Sequence, residues 1–600
     1  MPCCDTFKPT EMPKERRKAP AEVSGVGKEE IAGMLEELSI MLEILGANPF
    51  RCRAYANASR ILDNLTGDLR AMVESRELLE VKGIGKGIFD DIAGALETGT
   101  FPLYEDTSEK IPDGLMEMLR IPGFGPKKVK AVYDKLDITT IKELENAAKN
   151  DKLSGLSGFG ARTQEKILEG IENLRKYQDR FLYSTAETQA DEIIDAIKDH
   201  PDVKRHLLAG SLRRRKETIG DIDILVTAKK SDAIMESFTT LPKVRSVVAK
   251  GPTKSSIIYG PGINVDLRVV KDNEFAFASH YFTGSKDHNT EIRARAKRLG
   301  YRLNEYGLFK SGKPTSCRDE AALFKKLGLS YIPPELREAM GEIEAAEAGG
   351  AEGLPTLIEE SDIKGVVHCH TNYSDGKSTM EEMVDAARAL GHQFFGLGDH
   401  SQTAAYANGL KPERVEEQRQ EAVALNKKLR NFTLFFGIES DILTDGSLDY
   451  TEDVLQKFDY VVASVHSNFG LSEAAQTTRI IKAIENPYTT MLGHATGRLL
   501  LSREAYKVDL KAVIDAAAEN GVIMEINAHP QRLDLDWRHI KYAKGKGVLF
   551  SISPDAHHTS DIDYYRYGVG IARKGWLTKD DVINTMTVAK IKKIFRRRRS

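Results

Sequence analysis

Two parts of this chain gather side chains that can do chemistry. In "GSLRRRKETIGDIDILV", Gly210 to Val226, Asp221 and Asp223 stand one residue apart in an apolar run. Residues i and i+2 of a strand share a face, so these two carboxylates point the same way. Ile222, Ile224 and Leu225 suit a buried strand better than an exposed face of surface acids. Like charges held together there repel unless a hard divalent cation, Mg2+ or Mn2+, lies between them. A third acid, Asp266, interrupts "INVDLRVV". Upstream, Gly210 and Ser211 follow a strand and open a helix, whose amides, with Arg214, suit a triphosphate. Three carboxylates, divalent ions and a triphosphate are the setting for in-line phosphoryl transfer.

The second part is rich in histidine: 10 of the 14 lie after residue 340. "HCH" places His368 and His370 on one strand face, and Asp375 follows in "YSDG". Later apolar runs end in His400, Glu439, His466, His494, Asp555 and His557. If those runs are strands of an α/β barrel, their C-terminal ends converge on one mouth. Imidazoles mixed with carboxylates suit two or three Mn2+, Zn2+ or Fe2+ ions.

The elements that must position these groups are legible in the spacing. Beyond Gly365, seven runs from "GVVHCH" to "GVLFSISPDAH" alternate with helical stretches, the pattern of a parallel α/β barrel. The first 175 residues read as helices punctuated by glycine turns. Three of those turns repeat: "VKGIGKG", "IPGFGPK" and "LSGFGAR", with Gly83 and Gly85, Gly123 and Gly125, Gly158 and Gly160. Glycine permits positive φ and close approach, and the next helix N-terminus faces an anion. Such helix-hairpin-helix turns grip a DNA backbone without reading sequence. Residues 340–361, rich in Ala, Glu and Gly, read as a solvated helix end and a linker. The tail "KIKKIFRRRRS" lies outside the barrel pattern as a solvated charge run or a weak DNA contact.

Composition limits the alternatives. Six hundred residues imply several domains. No run of about 18 apolar residues is present to span a membrane, and the N-terminal stretch lacks a secretory apolar segment. Five cysteines without a CxxC pair, two of them the adjacent Cys3 and Cys4, fit a reducing cytoplasm. The net charge of -3 is not that of a strongly basic chain, so bulk charge alone does not indicate nucleic acid.

The aspartate stretch resembles the GS…GDxD signature of family X DNA polymerases, the group of DNA polymerase beta. "YFTGSKDHNTEIR" and "NEYGLF" resemble that family's nucleotide-pocket and template-side motifs, and "NPFRCRAY" its small N-terminal domain. The resemblance spans residues 26–336. It implies Asp221, Asp223 and Asp266 as catalytic metal ligands and Gly210, Ser211, Arg214 and Gly220 at the triphosphate. It implies Tyr281, Phe282 and Gly284 around the sugar, Asn289 at the base edge and Arg293 on the template side. Three departures stand out: Arg215 where the family often has Gly, Asn264 where polymerase beta has Arg, and Asp91 where it has the lyase lysine. An acid cannot form a Schiff base, so no lyase activity of that type is expected.

The histidine-rich part, about 362 to 575, resembles the PHP domain of the polymerase and histidinol phosphatase family. That resemblance implies His368, His370, Glu439 and Asp555 around one ion. Glu439, His466 and His494 would hold a second, and Asp375, His400 and His557 a third. His392 and His539 are expected on the surface, with His529 and His558 as candidates to support ligands from behind. Arg498 and Arg532 suit either a DNA phosphate or a structural salt bridge.

The expected architecture is therefore multidomain: an N-terminal all-α helix-hairpin-helix DNA-binding domain, an α+β nucleotidyltransferase palm with thumb, and a C-terminal α/β PHP barrel. The divisions fall at 1–25 (flexible end), 26–105, 106–175, 176–272 (palm), 273–339 (thumb), 340–361, 362–575 and 576–600. The expected function is a cytoplasmic, monomeric repair enzyme acting on gapped or primer-template DNA with dNTPs and no membrane. The palm fills short gaps, and the barrel is a Mn-dependent 3′-5′ exonuclease or phosphoesterase, with abasic-site or 3′-end cleaning as a further role. Na+ or K+ is expected at the hairpin turns. The alternatives are a nuclease with a non-catalytic DNA clamp, and a small-molecule phosphatase.

Overall fold

The computed structural model describes residues 26–65, 68–121 and 123–597. The stretch expected as a flexible end, with Cys3 and Cys4, lies outside the described residues. The chain forms two compact units, divided at Lys176 and Tyr177.

The first unit is helical, from Lys28–Ile44 through Ala161–Tyr177. Its three glycine turns are built alike. Ile84, Phe124 and Phe159, each between two glycines, are buried. Each donates its amide to the residue three positions earlier, at 3.0, 2.9 and 3.1 Å. The first glycine of each pair has positive φ: +107° at Gly83, +73° at Gly123 and +87° at Gly158. At Gly83 space is also decisive, because a Cβ would lie 2.7 Å from both Asn57 and Ile61. Asp91 accepts a 2.7 Å hydrogen bond from the Tyr55 hydroxyl, which gives the acid at the lyase position a structural partner.

The second unit begins with a five-stranded sheet. Its strands are β1 (Val203–Leu208), β2 (Asp221–Ala228), β3 (Val244–Lys250), β4 (Lys254–Tyr259) and β5 (Ile263–Val269), in the order β1-β2-β5-β4-β3. Only β2 and β5 run parallel. Helices Tyr183–Lys198 and Ser231–Thr239 bury Ile193, Ile197 and Phe238 in the core they share with the sheet. Residues 275–326 add three helices and a small antiparallel sheet.

The expected linker is packed rather than solvated. Helix Glu342–Ala348 buries Ile343 and Ala346. Glu342 is fully buried because His288 Nδ1, at 2.7 Å, and the amides of Ala339 and Met340 satisfy its carboxylate.

The barrel strands are β6 (Gly365–Cys369), β7 (Phe394–Leu397), β8 (Thr433–Phe435), β9 (Gly437–Asp441), β10 (Tyr460–Ser464), β11 (Met491–Leu492), β12 (Ile523–Asn527) and β13 (Phe550–Ser553). Every pairing among them is parallel. β8 and β9 follow one another in a single stave, so the seven apolar runs become seven staves. Bridges His400–Glu439 and Cys369–Ala556 join the two sheets into a ring. The described part of the basic tail, up to Arg597, packs on this barrel. Helix Val588–Arg597 buries Ile591 and Phe595 in the barrel floor, and Phe595 stacks on Tyr460 with ring centroids 5.1 Å apart. Among the described residues no helix is long and apolar enough to cross a membrane.

Candidate active sites

The palm acids meet on β2 and β5. The parallel register sets Asp223 beside Asp266 and Asp221 beside Asn264. Burial, then the charges of Asp221 and Asp266, raise the Asp223 carboxyl to about 7. That is the signature of acids crowded together without enough positive charge, and divalent ions fit it. Gly210 (φ +62°) lies against Asp223, where a Cβ would be 2.4 Å from its Oδ2. Only glycine lets the turn approach the acid so closely.

Sequence reasoning missed the supports of Asp266. Ser256 Oγ donates to it at 2.5 Å, Lys254 Nζ is 2.7 Å away, and Arg268 Nη2 is 3.7 Å away. Positive charge beside the third acid therefore comes from positions 254 and 268, while Asn264 stands where the resembling polymerase has Arg. Arg268 also lies over the Phe282 ring, 4.5 Å from its centroid.

The residues expected around a nucleotide lie close to one another. Tyr281 and Phe282 pack edge to face at 5.1 Å. Asn289 Nδ2 donates to Tyr281 O at 2.7 Å, and Arg293 Nε donates to Asn289 O at 3.2 Å. Gly284 faces Arg214, whose Nη1 a Cβ would meet at 3.1 Å. Gly220 directly precedes Asp221, and Ser211 sits in the short helix Gly210–Arg213. Arg215 adopts φ +54°, the left-handed region that favours glycine, which gives a physical reason for the family's glycine there. Here the Tyr183 hydroxyl, at 2.7 Å, and Glu187, at 3.3 Å, hold the arginine.

The nine candidate ligands of the barrel converge at its mouth. Three groups have ligand atoms all within 4.8 Å of one another: His370, Asp375, His400 and His557; His368, His370 and Asp555; His400, Glu439 and His466. Glu439 is central, 2.9–3.9 Å from His368, His370, His400, His466 and His494. His368, His494 and Asp555 have φ of +61°, +21° and +53°, strain of the kind that collects where side chains are aimed at a site.

His368 Nε2, His370 Nδ1 and His494 Nδ1 are buried without a hydrogen bond. Such nitrogens are costly unless a cation takes their lone pairs, so these residues fit divalent ions. Burial, with the neighbouring His557 and His400, lowers His370 to about 3, leaving it neutral as a metal ligand must be. Burial alone would raise the Glu439 carboxyl, but His466, His368 and His400 hold it well below the usual range.

Three further acids orient the ligands. Glu525 pairs with His368 Nδ1 at 2.6 Å and accepts from the His494 amide at 2.6 Å. Asp441 pairs with His466 Nδ1 at 2.5 Å. Asp399 binds the Thr371 amide and the Ser374 hydroxyl, fixing the loop between His370 and Asp375. The signal was present: Glu525 is an acid inside the apolar strand "VIMEIN", as Asp223 is in its own.

The remaining candidates divide. Arg532 Nε lies 3.4 Å from Asp555, at the cluster. Arg498 is tied to Asp536 at 2.8 Å and to the carbonyls of Arg532 and Leu533, a structural role. His392, expected on the surface, is buried, and burial lowers it to about 4. His539 is half-exposed. His529 is lowered by burial, with Asp555 opposing, and His558 caps the turn Thr559–Tyr564.

Comparison with known proteins supplies the class. A DNA polymerase beta thumb matches residues 278–338, and a PHP domain matches 367–529, short of Asp555 and His557. A helix-hairpin-helix domain matches 26–101, and a SAM-like helix-hairpin-helix tandem matches 115–173. The chain thus joins hairpin domains and a polymerase-beta thumb to a PHP barrel. It is 35% identical over 574 residues to the DNA polymerase/3′-5′ exonuclease PolX of Bacillus subtilis (strain 168), covering 95% of this chain and 99% of that one. The chain belongs to the PolX family.

The chain also matches, over part of its length, proteins named "Probable phosphatase". One, from Thermoanaerobacter sp. (strain X514), is 28% identical over 39% of this chain and 94% of its own. Another, from Caldicellulosiruptor bescii, is 29% identical over 32% of this chain and 80% of its own. Among solved structures, a Leishmania infantum polymerase beta ternary complex covers 38% of this chain at 24% identity, with a TM-score of 0.26, too low to decide a fold.

Proposed function

We propose that the chain is a DNA repair enzyme with two chemistries. The palm fills short gaps in primer-template DNA with dNTPs, and the barrel hydrolyses phosphodiesters from a 3′ end. What carries this reading is one compact unit holding both the palm acids and the nine-ligand barrel cluster. Mg2+ or Mn2+ in the palm would neutralise the leaving pyrophosphate and acidify the primer hydroxyl, while Mn2+, Zn2+ or Fe2+ in the barrel would polarise a phosphodiester.

Asp221, Asp223 and Asp266 would hold the palm ions, with Ser256 and Lys254 fixing the third acid. Phe282, steadied by Arg268, and Tyr281 flank the sugar. Asn289 is held by the Tyr281 carbonyl near the base edge, with Arg293 next to it on the template side. In the barrel, Glu439 bridges the imidazoles and Glu525 and Asp441 fix two rings. Arg532 meets the substrate phosphate. The hairpin glycines Gly83, Gly85, Gly123, Gly125, Gly158 and Gly160 grip the DNA backbone, with Na+ or K+ at the turns. The enzyme works as a cytoplasmic monomer.

A one-nucleotide-gap assay with dNTPs and Mn2+, resolving extension from degradation, tests this. Asp221→Ala/Asp223→Ala should abolish extension and spare degradation, and His368→Ala/His370→Ala should do the reverse. Extension surviving the first change sinks the palm assignment. Hydrolysis of histidinol phosphate with none at a primer end would make the barrel a small-molecule phosphatase.

A further inference from the structure

Three cations meet one buried carboxylate behind the palm. Glu338 Oε1 is 3.1 Å from Arg214 Nε and 2.8 Å from Lys574 Nζ, and its Oε2 is 3.9 Å from Lys216 Nζ. Side-chain exposure is 9% for Glu338, 13% for Arg214 and 0% for Lys574. Arg214 follows the Gly210–Ser211 turn, and its Nη1 donates to Thr283 O beneath Gly284. One guanidinium therefore ties together both turns of the nucleotide pocket, and Glu338 holds it.

Lys574 comes from the barrel. It ends helix Tyr565–Lys574, and it also donates to the backbone carbonyls of Arg214, at 2.9 Å, and Glu335, at 3.3 Å. Burial lowers this amine to about 8, with Glu338 opposing the shift. An apolar residue would fill the same space without that desolvation cost. The charge gains a purpose if Arg214 must leave. A swing of Arg214 toward a triphosphate would break its Nε bond to Glu338 and leave a buried carboxylate short of a cation. Lys574, already on the same oxygen, and Lys216 remain to neutralise it.

We infer that Lys574 of the barrel is a positioning residue for the polymerase reaction: it retains Glu338 when Arg214 turns to the incoming triphosphate, so the barrel sets how readily the palm binds dNTP. This rests on the gap-filling reading.

The test uses the full chain on a one-nucleotide gap, measuring kcat and KM for dNTP, with exonuclease rate and melting temperature as monitors of folding. Lys574→Met should raise KM about tenfold with kcat within about twofold, because it removes the compensation for Arg214 release; the bonds to the Arg214 and Glu335 carbonyls that it also removes are equally absent from the double variant below. Lys574→Arg should restore most of the loss. Lys574→Met/Glu338→Gln should return KM to within about threefold of the unmodified enzyme, since a neutral amide holds Arg214 less tightly than a carboxylate does and needs no cation. Exonuclease rate should not change. An unaltered KM in Lys574→Met overturns the inference, as does a double variant no better than the single one. A parallel fall of kcat, exonuclease rate and melting temperature in both variants also overturns it, leaving Lys574 as packing. If the unmodified enzyme incorporates no dNTP, the gap-filling reading falls first and takes this inference with it.

Discussion

Glu525 never touches a substrate in the proposed mechanism, yet replacing it should disarm the barrel. Its carboxylate accepts from His368 Nδ1 and from the His494 amide, both at 2.6 Å, and it is fully buried. Glu525→Gln keeps the shape, so no cavity confuses the result, but an amide has one acceptor oxygen and one donor nitrogen. If the NH2 faces His368, the neutral ring must move its proton to Nε2, the nitrogen needed for a metal. If it faces the His494 amide, two donors oppose each other in a dry site. A buried donor left without a partner costs about 1–3 kcal/mol, and tenfold in affinity is about 1.4 kcal/mol. The Mn2+ half-saturation of exonuclease activity should therefore rise about 10–100-fold, in the range seen when the groups behind metal ligands are removed. Saturating Mn2+ should recover much of the rate, and gap filling should not change. The assay is a Mn2+ titration of 3′-end degradation, with calorimetric Mn2+ binding to the same protein. An unshifted Mn2+ midpoint in a well-folded Glu525→Gln protein would refute the argument that this carboxylate sets the His368 tautomer.

Other parts of the structure give further expectations. Arg532→Gln should weaken the KM for a 3′ end with little change in melting temperature, whereas Arg498→Gln should lower the melting temperature and leave KM nearly unchanged. The opposite pattern would reverse their assigned roles. Phe595→Ala empties the barrel floor beneath Tyr460 and should cost about 3–5 kcal/mol in denaturant unfolding of the second unit; a cost under about 1 kcal/mol would mean the helix is only peripherally docked. Asp223, raised to about 7 by burial and its neighbouring acids, must lose a proton to bind a cation. Palm affinity for Mn2+ should therefore strengthen with rising pH up to about 7 and then level off, read as the Mn2+ midpoint of gap filling from pH 6 to 8.5. A pH-independent midpoint contradicts this.

The sequence revealed whatever a local pattern had to carry. A closed parallel barrel needs each stave to end at the mouth, so His368, His400, Glu439 and Asp555 each had to follow an apolar run. The hairpin turns needed a buried residue between two glycines, so "GIG" and "GFG" recur. Hidden from sequence were pairings whose partners meet only in the folded chain. Glu525 acts on His368 across 157 residues, and Lys574 on Glu338 across 236. Composition misled at both ends of the barrel for the same reason. The Ala- and Glu-rich segment after residue 340 looks solvated until His288, 54 residues away, pairs with Glu342. The tail looks like a bare charge run because lysines and arginines flank a short apolar stripe, Val588, Ile591 and Phe595 at i, i+3 and i+7, which packs only once the barrel has closed. The barrel floor supplies the rest of the apolar surface: Val367, Phe394, Phe435, Tyr460 and Met491. Tyr460 then carries that packing upward, because its hydroxyl accepts from the His368 amide at 3.1 Å. The expected C-terminal helix thus supports the strand end that presents His368, the first candidate metal ligand.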